Sequence, residues 1–146
     1  MKKILIINGP NLNMLGIREK NIYGTTTLDD INEMISKKAK ELGVEVSFFQ
    51  SNSEGAIIDK IHSCYGNTDG IIINPGAYSH YSIAIYDAIK AVSIDTYEVH
   101  ISNVFSREEE RTNLVTAKAS KGLVSGFGYY SYILALEGLV NAIKTK

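Results

Sequence analysis

The segment Ile4-Leu5-Ile6-Ile7, followed at once by Asn8-Gly9-Pro10, decides the fold class of this chain. A run of apolar, mostly β-branched residues that does not alternate with polar ones predicts a strand covered on both faces, as in a parallel sheet between two helix layers. Similar runs recur at Val44 to Phe49, Gly70 to Ile73, Thr96 to Val99 and Leu123-Val124. We therefore expect five parallel strands.

Segments with helical periodicity separate these strands. In the first, Thr27 is a candidate N-cap and Gly43 a candidate C-cap, and the inward-facing residues are Leu28, Ile31, Ile35 and Leu42. Further helices are expected from near Ser53, from about His80 to Val92 and from about Tyr129 to Ile143. This alternation predicts an α/β fold, a flavodoxin-like doubly wound five-stranded parallel sheet with helices on both faces. We expect residues 1–146 to form a single domain.

The composition narrows the possible partners. The 15 Lys and Arg against 16 Asp and Glu leave a net charge of -1, which offers no field to attract nucleic acid or an anionic membrane. No apolar run approaches membrane-spanning length. The single Cys64 cannot form an intrachain disulfide and has no metal-ligand spacing around it, so we interpret it and His62 as structural. A cytoplasmic protein without a metal is expected.

The loop after the first strand is unusually long and holds Arg18 five residues before Tyr23. A nearby guanidinium favours the phenolate form of a tyrosine, so Tyr23 is a candidate general base. From spacing alone, a surface tyrosine beside an unpaired arginine is the commoner case. The glycine at the start of the loop also leaves open a flavodoxin-like nucleotide or flavin binding module, although G-x-G-x-x-G and Gly-Lys-Ser/Thr are absent.

One histidine, His80, follows the third strand, and another, His100, ends the fourth. His80 is expected at the start of a helix, where the dipole disfavours its charged form, so it could bind a ligand as a neutral donor or acceptor. Alternatively, Ser79 caps that helix and His80 is a solvated residue of its first turn. In Glu98-Val99-His100, period-2 alternation places the carboxylate and the imidazole on one face of the strand. Glu98 could then hold one ring nitrogen and leave the other for acid catalysis, or the pair could simply satisfy each other in the core.

The charge run from Ser106 to Arg111 is the last candidate. Arg107 and Arg111 are four residues apart and would share a face if the run is helical, so that either could reach a substrate. Most charge runs are solvated helix faces.

The motifs in these segments resemble those of the type II 3-dehydroquinate dehydratases, from Asn8 to about Leu136. They are Asn-Gly-Pro-Asn-Leu at 8–12, Leu-Gly-x-Arg-Glu at 15–19, Tyr-Gly at 23–24, Asn-Pro-Gly-Ala-Tyr-x-His at 74–80, Glu-Val-His-x-Ser-Asn at 98–103 and Arg-Glu-Glu at 107–109. The resemblance implies a shikimate-pathway lyase that dehydrates 3-dehydroquinate to 3-dehydroshikimate. It also implies an anti elimination through an enolate, with no cofactor, metal or covalent lysine intermediate.

The resemblance assigns a catalytic role to five positions. Tyr23 would abstract the proton next to the substrate ketone, with Arg18 lowering its pKa from a mobile lid. Asn11 would stabilise the enolate oxygen, directly or through a water. His100, oriented by Glu98, would protonate the departing hydroxyl.

The resemblance also implies how the substrate is bound. Asn74, the backbone of Ile101 and the hydroxyl of Ser102 would hold the carboxylate and neighbouring oxygens, while His80 and Arg111 would read the ring hydroxyls. Asp87 would complete the site of a neighbouring subunit, in a dodecamer built from trimers.

Several positions depart from the family pattern and touch the lid, the subunit contact and the surroundings of the site. They are Lys20, Phe105, Glu110, Tyr81, Tyr86 and the segment from Leu114 to Lys118. These departures leave open a third hypothesis, a protein kept for assembly after losing catalysis.

Overall fold

A computed structural model describes residues 1–17 and 24–145 and contains one five-stranded sheet. Its strands are all parallel and lie in the order β2-β1-β3-β4-β5. Their bounds are β1 (Lys3–Asn8), β2 (Glu45–Gln50), β3 (Gly70–Asn74), β4 (Asp95–His100) and β5 (Gly122–Ser125). This order is the flavodoxin-like one, so the predicted fold class is confirmed.

In the described part of the chain, four α-helices cover the two faces of the sheet: α1 (Leu28–Leu42), α2 (Glu54–Ser63), α3 (Ile83–Val92) and α4 (Tyr130–Lys144). The residues of β1 alternate between the layers: Ile4 and Ile6 pack with α1 and α4, whereas Leu5 and Ile7 pack with α2 and α3. Both faces of β1 are therefore buried, which is why its sequence is apolar without alternation. No helix in the described part of the chain is long and apolar enough to cross a membrane.

The predicted ends of α1 are confirmed in detail. The Thr27 hydroxyl accepts from the backbone N–H of Asp30 at 3.2 Å, and the Asp30 carboxylate accepts from the N–H of Thr27 at 2.9 Å. This reciprocal pair is a capping box, which satisfies two N–H groups that have no partner within the helix. Gly43 ends the helix in the left-handed conformation, at φ 72°.

The predicted start of α3 is wrong. Residues 76–80 form a 3₁₀ turn, and the α-helix begins only at Ile83 because Ser82 caps it, accepting the N–H of Ile85 at 3.0 Å. Ser79 is therefore not a helix cap, and Tyr81 precedes the helix at φ -152° rather than lying on it. His80 lies outside the first turn of α3, so the expected effect of the helix dipole does not apply to it.

The charge run does not form one helix, so the condition under which Arg107 and Arg111 would share a helical face is not met. Two short 3₁₀ turns, Val104–Ser106 and Glu109–Arg111, are separated by Arg107 in an extended conformation. Asn103 accepts the N–H of Phe105 and so begins the first turn, and the extended Arg107 ends it. Arg107 and Arg111 consequently share no helical face.

Candidate functional site

A cavity of about 320 Å³ lies beyond the carboxyl ends of the strands, where the loops after β1, β3 and β4 meet. Its volume is typical of a small-molecule site, and the switch in strand order between β1 and β3 is where ligands bind in this type of sheet. The described residues lining it are Pro10, Asn11, Leu12, Met14, Leu15, Asn74, Gly76, Ala77, His80, His100, Ile101, Ser102, Val104, Arg107 and Arg111.

Most of the residues expected to form the site are brought together by this cavity. The candidates in the lining are Asn11, Asn74, His80, His100, Ile101, Ser102 and Arg111. Glu98 lies behind His100, and Asp87 is exposed on α3, away from the cavity of its own chain. Arg18, Lys20 and Tyr23 lie outside the described residues.

The loops after β1 and β3 approach each other so closely that only glycine fits at position 9. The N–H of Gly9 donates to the carbonyl of Asn74 at 2.8 Å. A Cβ atom at Gly9 would lie 2.6 Å from the carbonyl oxygen of Pro75, which is backbone and cannot turn aside. This contact sets the spacing between the two loops that carry Asn11 and His80.

Asn11 is held in an uncommon backbone conformation by a residue that the sequence did not single out. Asn11 has φ 71°, and its N–H donates to the side-chain oxygen of Asn52 at 3.0 Å. The carbonyl of Asn52 accepts from the Tyr78 hydroxyl at 2.7 Å. Asn52, in the loop after β2, thus ties together the loops that follow β1 and β3 and orients Asn11.

Asn74 is oriented by a buried hydrogen-bond network. Its side-chain oxygen accepts from the N–H of Gly76 at 3.2 Å, and its amide nitrogen donates to the Tyr132 hydroxyl at 3.0 Å. The same hydroxyl donates to the side-chain oxygen of Asn8 at 2.5 Å. Since these partners settle which atom of the Asn74 amide is nitrogen, a second amide hydrogen is left for a ligand oxygen in the cavity.

Tyr132 stays neutral in this network. Burial raises the pKa of its phenol above the ordinary value of 10.0, because a phenolate loses its solvation in the protein interior. A neutral hydroxyl can accept from one asparagine and donate to the other at any physiological pH. Neither Tyr132 nor Asn8 was predicted, since a tyrosine within an apolar helix face carries no sequence signal for such a role.

Glu98 and His100 form the buried pair that the strand periodicity predicted. Glu98 is 0% and His100 6% exposed, and the Nε2 atom of His100 lies 2.7 Å from Oε2 of Glu98. An ionised carboxylate only accepts hydrogen bonds, so Nε2 carries the hydrogen and Nδ1 is the ring nitrogen left for the cavity. A ring held this way can deliver a proton from Nδ1 when it is charged.

His80 is oriented by the backbone of a distant segment. Its Nδ1 atom lies 3.0 Å from the carbonyl oxygen of Asn113, and this oxygen can only accept. Nδ1 therefore carries the hydrogen, and in the neutral ring Nε2 is an acceptor suited to a ligand hydroxyl. His80 is thus not a first-turn residue of α3, but it lines the cavity, which agrees with the interpretation of it as a ligand-binding group.

Among the described residues, Arg107 and Arg111 bring positive charge to the cavity. Arg107 and Arg111 both line it although they do not share a helix face. The Nε atom of Arg111 donates to the Glu108 carboxylate at 2.7 Å. A hydrogen bond from its own backbone, and then that from Arg111, lowers the pKa of Glu108, so the ion pair holds the guanidinium at the rim.

These groups suit a small, oxygen-rich anion. Amide, imidazole and guanidinium groups can bind hydroxyl and carboxylate oxygens, and Leu12, Met14 and Leu15 supply an apolar wall. In residues 1–17 and 24–145 no group of three or more His, Cys, Asp and Glu side chains could hold a metal ion. The described start of the first loop leads into the short 3₁₀ turn Leu12–Met14 and not into an α-helix, so its Gly9 does not place a phosphate at a helix N-terminus.

Comparison with known proteins agrees with this geometry. Residues 2–140 match the sequence model of the family described as dehydroquinase class II. A 3-dehydroquinate dehydratase of Caldicellulosiruptor bescii is 65% identical and covers 95% of this chain and 97% of its own length. One from Clostridium perfringens (strain 13 / Type A) is 59% identical, with 99% of each chain covered.

Solved structures show the same similarity. A type II dehydroquinase from Butyrivibrio crossotus superposes with a TM-score of 0.92 at 56% identity, covering 94% of this chain and 97% of that one. One from Propionibacterium acnes has the same TM-score at 43% identity, with 97% of each chain covered.

Proposed function

Because the chain belongs to the class II dehydroquinase family, we propose that it is a 3-dehydroquinate dehydratase, a hydro-lyase that forms 3-dehydroshikimate. The observation that carries the proposal is the buried pair of Glu98 and His100 at the cavity. It is the acid that dehydration requires, and it lies among groups that bind oxygen. A cytoplasmic place in the shikimate pathway, the source of aromatic amino acids, is part of the proposal and rests on the family.

The reaction is an anti elimination in two stages. The Tyr23 phenolate, favoured by the charge of Arg18, takes a proton from the carbon next to the ketone, and the electron pair of that C–H bond forms an enolate. Asn11 stabilises the enolate oxygen, directly or through a water. The enolate then collapses, the C–O bond of the β-hydroxyl breaks, and the hydroxyl leaves as water with a proton from His100. The atoms and electrons of the elimination balance without a cofactor or metal.

Different residues of the cavity lining bind different groups of the substrate. The free amide hydrogen of Asn74, the backbone at Ile101 and the Ser102 hydroxyl bind the carboxylate and neighbouring oxygens. The acceptor nitrogen of His80 and the guanidinium of Arg111 form hydrogen bonds with the ring hydroxyls. Support for this division comes from the orientations of Asn74 and His80, which the surrounding contacts determine, and from the position of the other residues in the cavity lining.

Turnover of 3-dehydroquinate tests the proposal. The purified protein should produce the absorbance of a conjugated enone. Tyr23→Phe and His100→Asn should each lower kcat by roughly 10²–10⁴, the usual range for loss of a general acid or base, while His62→Asn serves as a matched control outside the cavity. Absence of product in the wild type, or full activity of Tyr23→Phe, would reject it.

The same preparation tests the other hypotheses. A flavin or nucleotide binding module would show flavin absorbance or a thermal shift with nucleotides. A protein retained only for assembly would keep its oligomeric state without turnover. A substrate carrying deuterium on one face of the reacting carbon tests the stereochemistry, because an anti elimination loses the hydrogen opposite the departing hydroxyl.

Completion of the site by a second copy is also part of the proposal. Asp87 and Ile83 are both exposed and lie four residues apart, so they share one face of α3 that is free to contact another subunit. We expect trimers assembled into a dodecamer, which sedimentation measures. Mixed oligomers of Asp87→Asn and Tyr23→Phe should regain about a quarter of wild-type activity if the aspartate acts across a symmetric subunit contact. Absence of any regain would place Asp87 outside the site.

A further inference from the structure

The carboxylate of Glu98 has a second partner that the mechanism above does not use. The hydroxyl of Thr116 lies 2.5 Å from Oε1 of Glu98, whereas His100 occupies the other oxygen, Oε2. Thr116 and Glu98 are both 0% exposed. Because an ionised carboxylate has only acceptor sites, the hydroxyl donates, and each carboxylate oxygen accepts a hydrogen bond from a protein side chain.

Thr116 is placed by a segment separate from the strand that carries Glu98. It begins the 3₁₀ turn Thr116–Ala119, between β4 and β5. The preceding residue, Val115, donates its N–H to the carbonyl of Ser79 at 2.7 Å, in the turn after β3. The hydroxyl of Thr116 is therefore held against Glu98 by the neighbouring turn, and its position does not depend on His100.

We infer that Thr116 is a positioning residue for the acid: its hydroxyl keeps Glu98 ionised and oriented towards the Nε2 hydrogen of His100. The inference rests on the proposed dehydratase function. Burial disfavours a charged carboxylate, and a hydrogen bond to the charged form opposes that effect. The carboxylate in turn stabilises the imidazolium that must carry the proton on Nδ1. Loss of the Thr116 hydroxyl should therefore weaken the acid without touching the substrate.

Other charged groups near His100 remain unchanged by substitutions at Thr116. Among the described residues, His80, Arg107 and Arg111 line the same cavity, and Glu98 is the acidic partner of the ring. All four are present in every variant below. A change in the pH dependence that is confined to variants without the Thr116 hydroxyl must therefore pass through Glu98.

The experiment compares substitutions at Thr116 with a matched control at Thr96, which lies on β4 two residues before Glu98. Thr116→Val removes the hydroxyl and keeps the shape, Thr116→Ser retains the hydroxyl, and Thr116→Ala is the alternative if the valine variant does not fold. Thr96→Val is the control. Thr96 is as deeply buried, and its hydroxyl donates at 2.9 Å to the carbonyl of Ile94 instead of to Glu98.

We expect Thr116→Val to lower kcat by about ten- to a hundredfold, the effect of losing one hydrogen bond to a charged group, with little change in KM. The high-pH limb of its kcat profile should move down by about one pH unit. Thr116→Ser should restore both, and Thr96→Val should lower stability alone. A wild-type profile in Thr116→Val, or the same shift in Thr96→Val, would overturn the inference.

A measurement without substrate separates this inference from the proposed function. The chain has three histidines, so the ring signals of His100 can be assigned by NMR through a His100→Asn variant. The titration midpoint of His100 should move to lower pH in Thr116→Val and stay in place in Thr96→Val. An unmoved midpoint rejects the role of Thr116 even in an active enzyme. A moved midpoint in a protein without turnover upholds the coupling and rejects the dehydratase.

Discussion

Tyr132→Phe should destabilise the protein far more than the loss of one hydroxyl normally does. The ring is fully buried, and its hydroxyl is the partner of two buried asparagines, Asn8 and Asn74. The variant leaves one acceptor and one donor unpaired in the interior. At about 1–3 kcal/mol for each orphaned group, the free energy of unfolding should fall by about 2–6 kcal/mol. Domains of this size have about 5–15 kcal/mol in total.

The pH dependence of this loss has a definite sign. Burial raises the pKa of Tyr132 in the folded protein, whereas the unfolded tyrosine ionises near its ordinary value of 10.0. The folded state thus holds the proton more tightly, so the stabilisation is complete below pH 10 and declines as the pH rises above it. Phenylalanine lacks this effect. The difference in the free energy of unfolding between the wild type and Tyr132→Phe should therefore decrease above pH 10, by about 1.4 kcal/mol per pH unit.

Urea unfolding at pH 7 and at about pH 11 measures both quantities, with Tyr65→Phe as the control. Tyr65 is 73% exposed, so its substitution should stay within about 0.5 kcal/mol of wild type. Since Tyr132 also orients the Asn74 amide, KM for 3-dehydroquinate should rise more than kcat falls. A loss at pH 7 no larger than that of the control, or a gap that widens above pH 10, would refute the reasoning.

Three further predictions concern the backbone and the helix ends. Gly9→Ala places a Cβ atom against the Pro75 carbonyl and should cost about 1–3 kcal/mol of stability by urea unfolding, together with most of the activity. Gly55→Ala, on a helix where the new Cβ meets nothing closer than 3.9 Å, should instead stabilise by about 0.5–1 kcal/mol; a loss there would contradict the helix-propensity argument. Hydrogen bonds from Thr27 lower the pKa of Asp30 below 3.8 in the folded protein. The wild type should therefore be more stable than Asp30→Ala at neutral pH, and this difference should vanish as the pH falls below 3.8. A difference that persists in acid would contradict the capping box.

The sequence predicted the fold because its strongest signals are local. Apolar runs that do not alternate require cover on both faces, and Thr27 and Gly43 mark helix ends by their own chemistry. The pair of Glu98 and His100 was predicted for the same reason, since two residues on one strand have a known relative direction. Local pattern therefore predicted the site wherever its groups share an element.

Contacts between distant segments could not be predicted in this way. Thr116, Asn52 and Tyr132 matter because of what the fold brings beside them, and nothing in their local sequence indicates which distant residue each one contacts. His80 was misplaced because Ser79 and Ser82 are both acceptable caps, and only packing decides between them. Tyr23, which the resemblance names as the base, stays a prediction.

The order of the strands has a consequence for how the enzyme folds, because the contact of Gly9 with the loop after β3 forms only when β1 and β3 lie side by side. The chain emerges from the ribosome with β1 first, yet the neighbours β1 needs on either side are synthesised later, and Tyr132 arrives only with the last helix. Pairing of parallel strands loses the entropy of closing long loops before the contacts between the strands stabilise the chain, and this makes folding slow. Recovery of activity after dilution from denaturant should consequently coincide with the final folding phase, so that turnover serves as a sensitive reporter of complete refolding.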